Sequence, residues 1–80
     1  MSKNIVLDPD DAKWRVAGRR VEILGEVAHE TYTLPKGCRR VVVQSAGRHR
    51  SQLVLGGFSS TTVTVTGPSY VIKRLRDEVL

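Results

Sequence analysis

Apolar and polar residues alternate along most of this 80-residue chain, which is the pattern of half-buried β-strands. Segments 14–17 and 20–24 alternate on either side of Gly18 and predict a hairpin. Its buried face is expected to hold Trp14, Val16, Val21 and Ile23. A weaker strand is predicted over 27–34, ended by the turn residues Pro35-Lys36-Gly37.

A second hairpin is predicted from 40–45 and 51–55, which flank a loop that contains Gly47 and no apolar anchor. In this hairpin Val41 and Val43 are expected to pack near Leu53 and Leu55. Residues 59–66 alternate Thr and Val and predict one more strand, with Val63 and Val65 toward the core.

Helical spacing occurs at the end of the chain, where a helix is predicted over 69–80. Its apolar stripe is Val71, Ile72, Leu75 and Val79. Near the start, Asp8 and Pro9 are typical of a helix beginning, so a short helical turn is predicted over 9–13. Residues before it read as an extended arm ending in Ile5-Val6-Leu7.

These elements predict one small domain that is mostly β (α+β class). We expect an N-terminal arm with a turn of helix over 1–13 and a β-rich domain over 14–80. That domain would contain about six antiparallel strands, sandwich or barrel-like, and the C-terminal helix. Composition agrees with this expectation, because Val, Ile and Thr supply 21 of the 80 residues and these β-branched side chains favour sheets.

Charge is distributed unevenly. The net charge is +5, yet residues 31–76 contain no Asp or Glu. Folded together, the basic residues of this stretch predict a continuous positive patch for an anionic partner, either nucleic acid or an acidic protein surface. The predicted binding residues are Arg39, Arg40, Arg48, His49, Arg50, Lys73, Arg74 and Arg76.

Little in the sequence indicates catalysis, a metal or a cofactor, and we expect none of them. The acidic residues around Pro9 lack calcium-loop spacing and suit helix initiation. The single cysteine, Cys38, excludes an internal disulfide, and no spacing places His29 or His49 beside it as a base. We therefore expect Cys38 and His29 to be structural, and no glycine cluster has the pattern of a phosphate-binding loop.

Nucleic-acid binding is indicated by the basic tip of the second hairpin, because arginines on a two-stranded ribbon can reach a groove of DNA. Against base recognition, the four aromatic residues are not clustered in sequence as a stacking platform requires. They are Trp14, Tyr32, Phe58 and Tyr70.

Assembly is indicated by two other features. The uncharged strand over 60–66 is either central in its sheet or pairs between subunits, through Thr62, Thr64 and Thr66. The apolar arm, Ile5-Val6-Leu7, is expected to lie on a neighbouring copy. Apolar runs are too short to cross a bilayer and no secretion signal is visible, so we expect no membrane partner and a cytoplasmic or virion location.

Residues 32–37 (Tyr-Thr-Leu-Pro-Lys-Gly), then 39–44, 53–55 and 62–67, resemble small β-rich virion accessory proteins of tailed phages. The shared feature is a Leu-Pro-x-Gly turn between strands. This resemblance implies a decoration, cement or connector role without catalysis.

The resulting hypothesis is a non-enzymatic, oligomeric assembly subunit, of phage accessory type. It would contact neighbours through its arm and an exposed strand and dock its arginine-rich face on an anionic surface. One alternative is a small basic regulator that binds nucleic acid. A second is a phage- or plasmid-type inhibitor that binds a host protein.

Overall fold

Seven strands and one helix make up the part of the chain described by the computed structural model, residues 2–7, 13–25, 28–58 and 61–80. The strands are β1 (Ser2–Val6), β2 (Lys13–Ala17), β3 (Arg20–Leu24), β4 (His29–Thr33), β5 (Arg40–Gly47), β6 (Arg50–Phe58) and β7 (Thr61–Pro68), and the helix is α1 (Ser69–Val79). The predicted mostly β architecture with a C-terminal helix is confirmed, with seven strands instead of about six.

The strands form two separate sheets that do not close into a barrel. One sheet has the order β1-β7-β6-β5, and the other is the antiparallel meander β2-β3-β4. Strand β1 pairs parallel to β7, with Ser2 opposite Thr62 and Val6 opposite Thr66. The expectation of an entirely antiparallel arrangement is therefore wrong at this one pair.

The N-terminal segment is a strand of this sheet and not an arm on a neighbour. Ile5 is 1% exposed and Leu7 0%, and both belong to the core of their own chain. The Leu7 N–H donates a 2.7 Å hydrogen bond to the Thr66 carbonyl, which extends the pairing beyond β1. The helical turn predicted over 9–13 lies mostly outside the described residues, and Lys13 begins β2.

Both predicted hairpins are confirmed. In the first, Trp14 pairs with Ile23 and Val16 with Val21, and Gly18 takes the positive φ of +58° that the tight turn needs. In the second, Val41 pairs with Leu55 and Val43 with Leu53. Its turn is tighter than the predicted five-residue loop, because Gly47 pairs directly with Arg50.

The core lies on one face of the four-stranded sheet. Helix α1 packs on β5, β6 and β7 with its predicted stripe, and all four stripe residues are buried. The meander covers the remainder of this face and contributes Val21, while Leu34 joins the core just after β4. Helix and meander thus share one covering layer, and alternation leaves the other residues of the four strands on the opposite face.

Candidate basic binding end

The β5–β6 hairpin separates the predicted basic residues into two groups. Arg40 begins β5 and Gly47 ends it seven residues later, so the two ends of the hairpin are roughly 23 Å apart. Arg39 and Arg40 lie at the base of the hairpin, whereas Arg48, His49 and Arg50 form its tip. The prediction of one continuous patch across all eight residues is therefore wrong.

The hairpin tip is joined to the start of α1. The Ser69 N–H donates a 3.0 Å hydrogen bond to the His49 carbonyl, and the hydroxyls of Ser51 and Ser69 are 2.7 Å apart. One turn further along the helix, Lys73 and Arg74 are exposed to solvent. We call this group the basic end; it consists of Arg48, His49, Arg50, Lys73 and Arg74.

The basic end makes no close ion pair with the described part of the chain. Among the described residues, no carboxylate lies within 4.0 Å of any of its members. The first turn of α1 contains no acidic residue, so the positive end of the helix dipole adds to the same potential. Arg76 differs, because its guanidinium is 3.1 Å from Asp77. We therefore separate Arg76 from the basic end.

A groove runs between β2 and α1 beside the basic end. It encloses about 400 Å³ and is lined by Trp14, Arg15, Val16, Tyr70, Val71 and Arg74. Two of the four aromatic residues thus lie in one groove although they are far apart in sequence. The expectation of scattered aromatics is therefore wrong for Trp14 and Tyr70, because α1 and β2 form opposite walls of one groove, which linear spacing does not reveal.

A larger cavity of about 490 Å³ lies where β1 and β7 meet β4. Its cation, the Lys3 ammonium, is 4.7 Å from the centre of the Tyr32 ring. The Tyr32 hydroxyl donates a 2.7 Å hydrogen bond to Glu30, and this bond is the main reason that the pKa of Tyr32 is raised. Among the described residues that line this cavity Lys3 is the one cation, whereas Arg15 and Arg74 both line the groove, so the groove is the better place for an anion.

On the side of the meander that faces away from the core, the carboxylate of Glu22 is covered and held by arginines, and the residue is only 8% exposed. Arg15 donates to it through Nε at 2.9 Å and also through its terminal nitrogen, and Arg20 is 3.7 Å away. The hydrogen bonds from Arg15 lower the pKa of Glu22, and the positive charges of Arg15 and Arg20 act in the same direction. Arg15 also lines the groove, and its positive charge there is partly neutralised by Glu22.

Cys38 and the histidines do not form a reactive pair. The Cys38 side chain packs against the core, 3.9 Å from the Pro35 carbonyl, and burial raises the pKa of its thiol. His49 is at the hairpin tip and Cys38 is near the opposite end, while His29 is exposed at the start of β4. Within the described ranges, no three His, Cys, Asp or Glu side chains converge as metal ligands.

The residues predicted to contact other subunits are divided by the fold. Ile5 and Leu7 are buried in their own chain and cannot serve this purpose, whereas Val6 is 51% exposed. Strand β7 has partners on both sides, so Thr62, Thr64 and Thr66 offer side chains but no free backbone edge. The sequence left two arrangements open for this strand, a central place in its sheet or pairing between subunits. The structure shows the central place.

These threonines belong to a flat surface that no other described element covers. Its neighbouring positions come from β1, β5 and β6, where Val42 is 42% exposed. We call this surface the open face; its central rows are Asn4, Val6, Val42, Gln44, Gln52, Val54, Thr62, Thr64 and Thr66. None of these side chains is charged.

Comparisons with protein-family models, with curated proteins and with solved structures find no match to this chain. A search of the described residues for a helix long and apolar enough to span a bilayer also finds none.

Proposed function

We propose that the protein is a non-enzymatic binding subunit that docks its basic end on an anionic macromolecule and contacts protein neighbours through its open face. The observation that carries the proposal is the basic end, where the described chain provides five neighbouring basic side chains and no carboxylate partner within 4.0 Å. Unpaired cations raise the local concentration of an anionic partner. A decoration or connector role, as the phage resemblance implies, would use both surfaces.

The test compares two double variants with the same net charge. R48Q/K73Q removes two cations from the basic end, and K36Q/R39Q removes two exposed cations from the segment that leads into β5, away from the hairpin tip. Binding to random duplex DNA and to heparin is measured as a function of salt. Because each lost phosphate contact lowers the logarithmic salt slope by about 0.9, we expect R48Q/K73Q to reduce the slope for DNA by about two.

The control variant K36Q/R39Q should retain nearly the slope of the unmodified protein. Equal losses in the two variants would mean that overall charge, and not the basic end, attracts the polyanion. Failure of the unmodified protein to bind either DNA or heparin at low salt would refute the docking role.

The open face supports the assembly half of the proposal. The central rows of the open face carry no charge, so two such rows can meet without burying a cation, although the protein as a whole carries +5. We expect light scattering after size exclusion to show association at high protein concentration, and V42K to abolish it without changing the salt slope for DNA. If the protein is a strict monomer with or without V42K, the assembly role of the open face is refuted and docking through the basic end is not.

A further inference from the structure

The groove between β2 and α1 combines aromatic rings with guanidinium groups. Tyr70 projects from the first turn of α1 and is 68% exposed, so its ring contributes little to the packing of this chain. Trp14, on the other wall, is half-buried and belongs to the inner row of the meander. Arg74 stands one helical turn from Tyr70, on the same exposed side of α1.

This combination suits the bases of a nucleic acid. Every base has a flat π-face that can stack on an aromatic side chain, and an arginine can stack or bind a phosphate beside it. The volume of about 400 Å³ falls within the range of about 300–1,000 Å³ that is usual for small-ligand sites. Val16 and Val71 supply apolar wall next to the rings, which favours a flat, weakly hydrated group over a carboxylate.

The geometry also distinguishes single strands from duplexes. In a duplex the bases stack on one another and offer only their edges, whereas a single strand can turn its bases outward. The groove adjoins the basic end through Arg74, which belongs to both, so a strand with bases in the groove can leave its phosphates on Arg74 and its exposed neighbour Lys73.

We propose that this groove binds bases of single-stranded nucleic acid by stacking against Tyr70 and Trp14, with Arg74 beside them. The proposal rests on the docking function of the basic end, because the neighbouring cations provide the attraction for the backbone. It adds a preference that charge alone does not produce, namely for exposed bases over duplex DNA or heparin.

The experiment uses oligothymidylate of about 15 nucleotides, a length that covers a typical single-strand site. Trp14 is the only tryptophan in the chain, so its fluorescence reports directly on the groove. We expect the oligonucleotide to quench this fluorescence. Y70L, which removes the aromatic ring from an exposed position, should weaken oligothymidylate binding about tenfold, the scale of one stacking contact.

Two controls separate stacking from charge. Y70F retains a ring and should bind oligothymidylate like the unmodified protein, and Y70L should bind heparin unchanged. If Y70L and Y70F bind oligothymidylate equally, or if oligothymidylate is bound no better than duplex DNA, the stacking site is refuted while docking through the basic end stands. If neither heparin nor any DNA binds, the proposed function fails and this inference fails with it.

Discussion

The two faces of the four-stranded sheet are formed by alternate residues of the same strands, yet their surroundings differ completely. The inner face meets α1 and the meander and contains residues such as Leu53 and Val65, both fully buried. The open face carries Thr, Gln and Val and meets no described element. The inner side chains of this sheet therefore maintain the fold, whereas the side chains of the open face are not constrained by packing within the described chain.

The largest expected difference between the faces is at Ile5 and Val6, neighbours that point in opposite directions. I5A should lower the free energy of unfolding by about 2–5 kcal/mol, because it leaves a cavity in the core. V6A, on the open face, should change it by about 0.5 kcal/mol. Urea denaturation of both variants measures the contrast. If I5A and V6A both lowered the free energy of unfolding only slightly, the interpretation of residues 2–7 as an arm outside the core would be restored.

A smaller contrast is expected at Ser51 and Gln52, again neighbours on opposite faces. S51A removes a partly buried hydrogen bond to Ser69 and should destabilise the protein by about 1–2 kcal/mol. Q52T breaks only the exposed 3.1 Å bond with Gln44 and retains β-propensity, so its effect should be about 0.5 kcal/mol or less. Thermal unfolding of the pair checks this, and a larger loss in Q52T would show that the open face also stabilises the domain.

The smallest expected effect is on the outward side of the meander and depends on pH. Arg15 keeps the pKa of Glu22 below its ordinary value of 4.5 in the folded protein. The stabilisation by ionised Glu22 is therefore complete above that pH and is lost as the pH falls through the folded-state pKa. The stability difference between the unmodified protein and E22Q should shrink as the pH is lowered from 7 to 3.

Arg15 provides the control for this pH dependence. R15Q should remove most of the same pH-dependent difference, and the double variant R15Q/E22Q should lose little more than E22Q alone. Denaturation curves at several pH values measure all three. A constant stability difference between the unmodified protein and E22Q across the pH range would show that Glu22 does not gain from its arginines.

Sequence patterns were sufficient for most local contacts, with the tighter β5–β6 turn as an exception. The hairpin around Gly18, the pairing of Val43 with Leu53, and the stripe of α1 all follow from spacing within about a dozen residues. Periodicity identifies which residues share a face, and short turns bring neighbouring strands together.

The candidate site depends on contacts between residues that are far apart in sequence, and periodicity does not reveal such contacts. No local signal indicates that Ser2–Val6 pairs with a strand 60 residues later, so the segment resembled a free arm. The groove likewise depends on where the fold places α1 and β2, which puts Tyr70 and Trp14 in the lining of one groove. Counting charges identified the basic residues, but the length of β5 decided which of them lie together.

The parallel pairing of β1 with β7 has a consequence for the order of folding. Strand β1 is synthesised about 60 residues before β7, with which it pairs. Ile5 and Leu7 therefore cannot be buried beside β7 until that strand has been made. Closing so long a loop slows the final step relative to the hairpins, which form from adjacent segments. During that interval the apolar side chains of Ile5 and Leu7 remain exposed and can contact other chains.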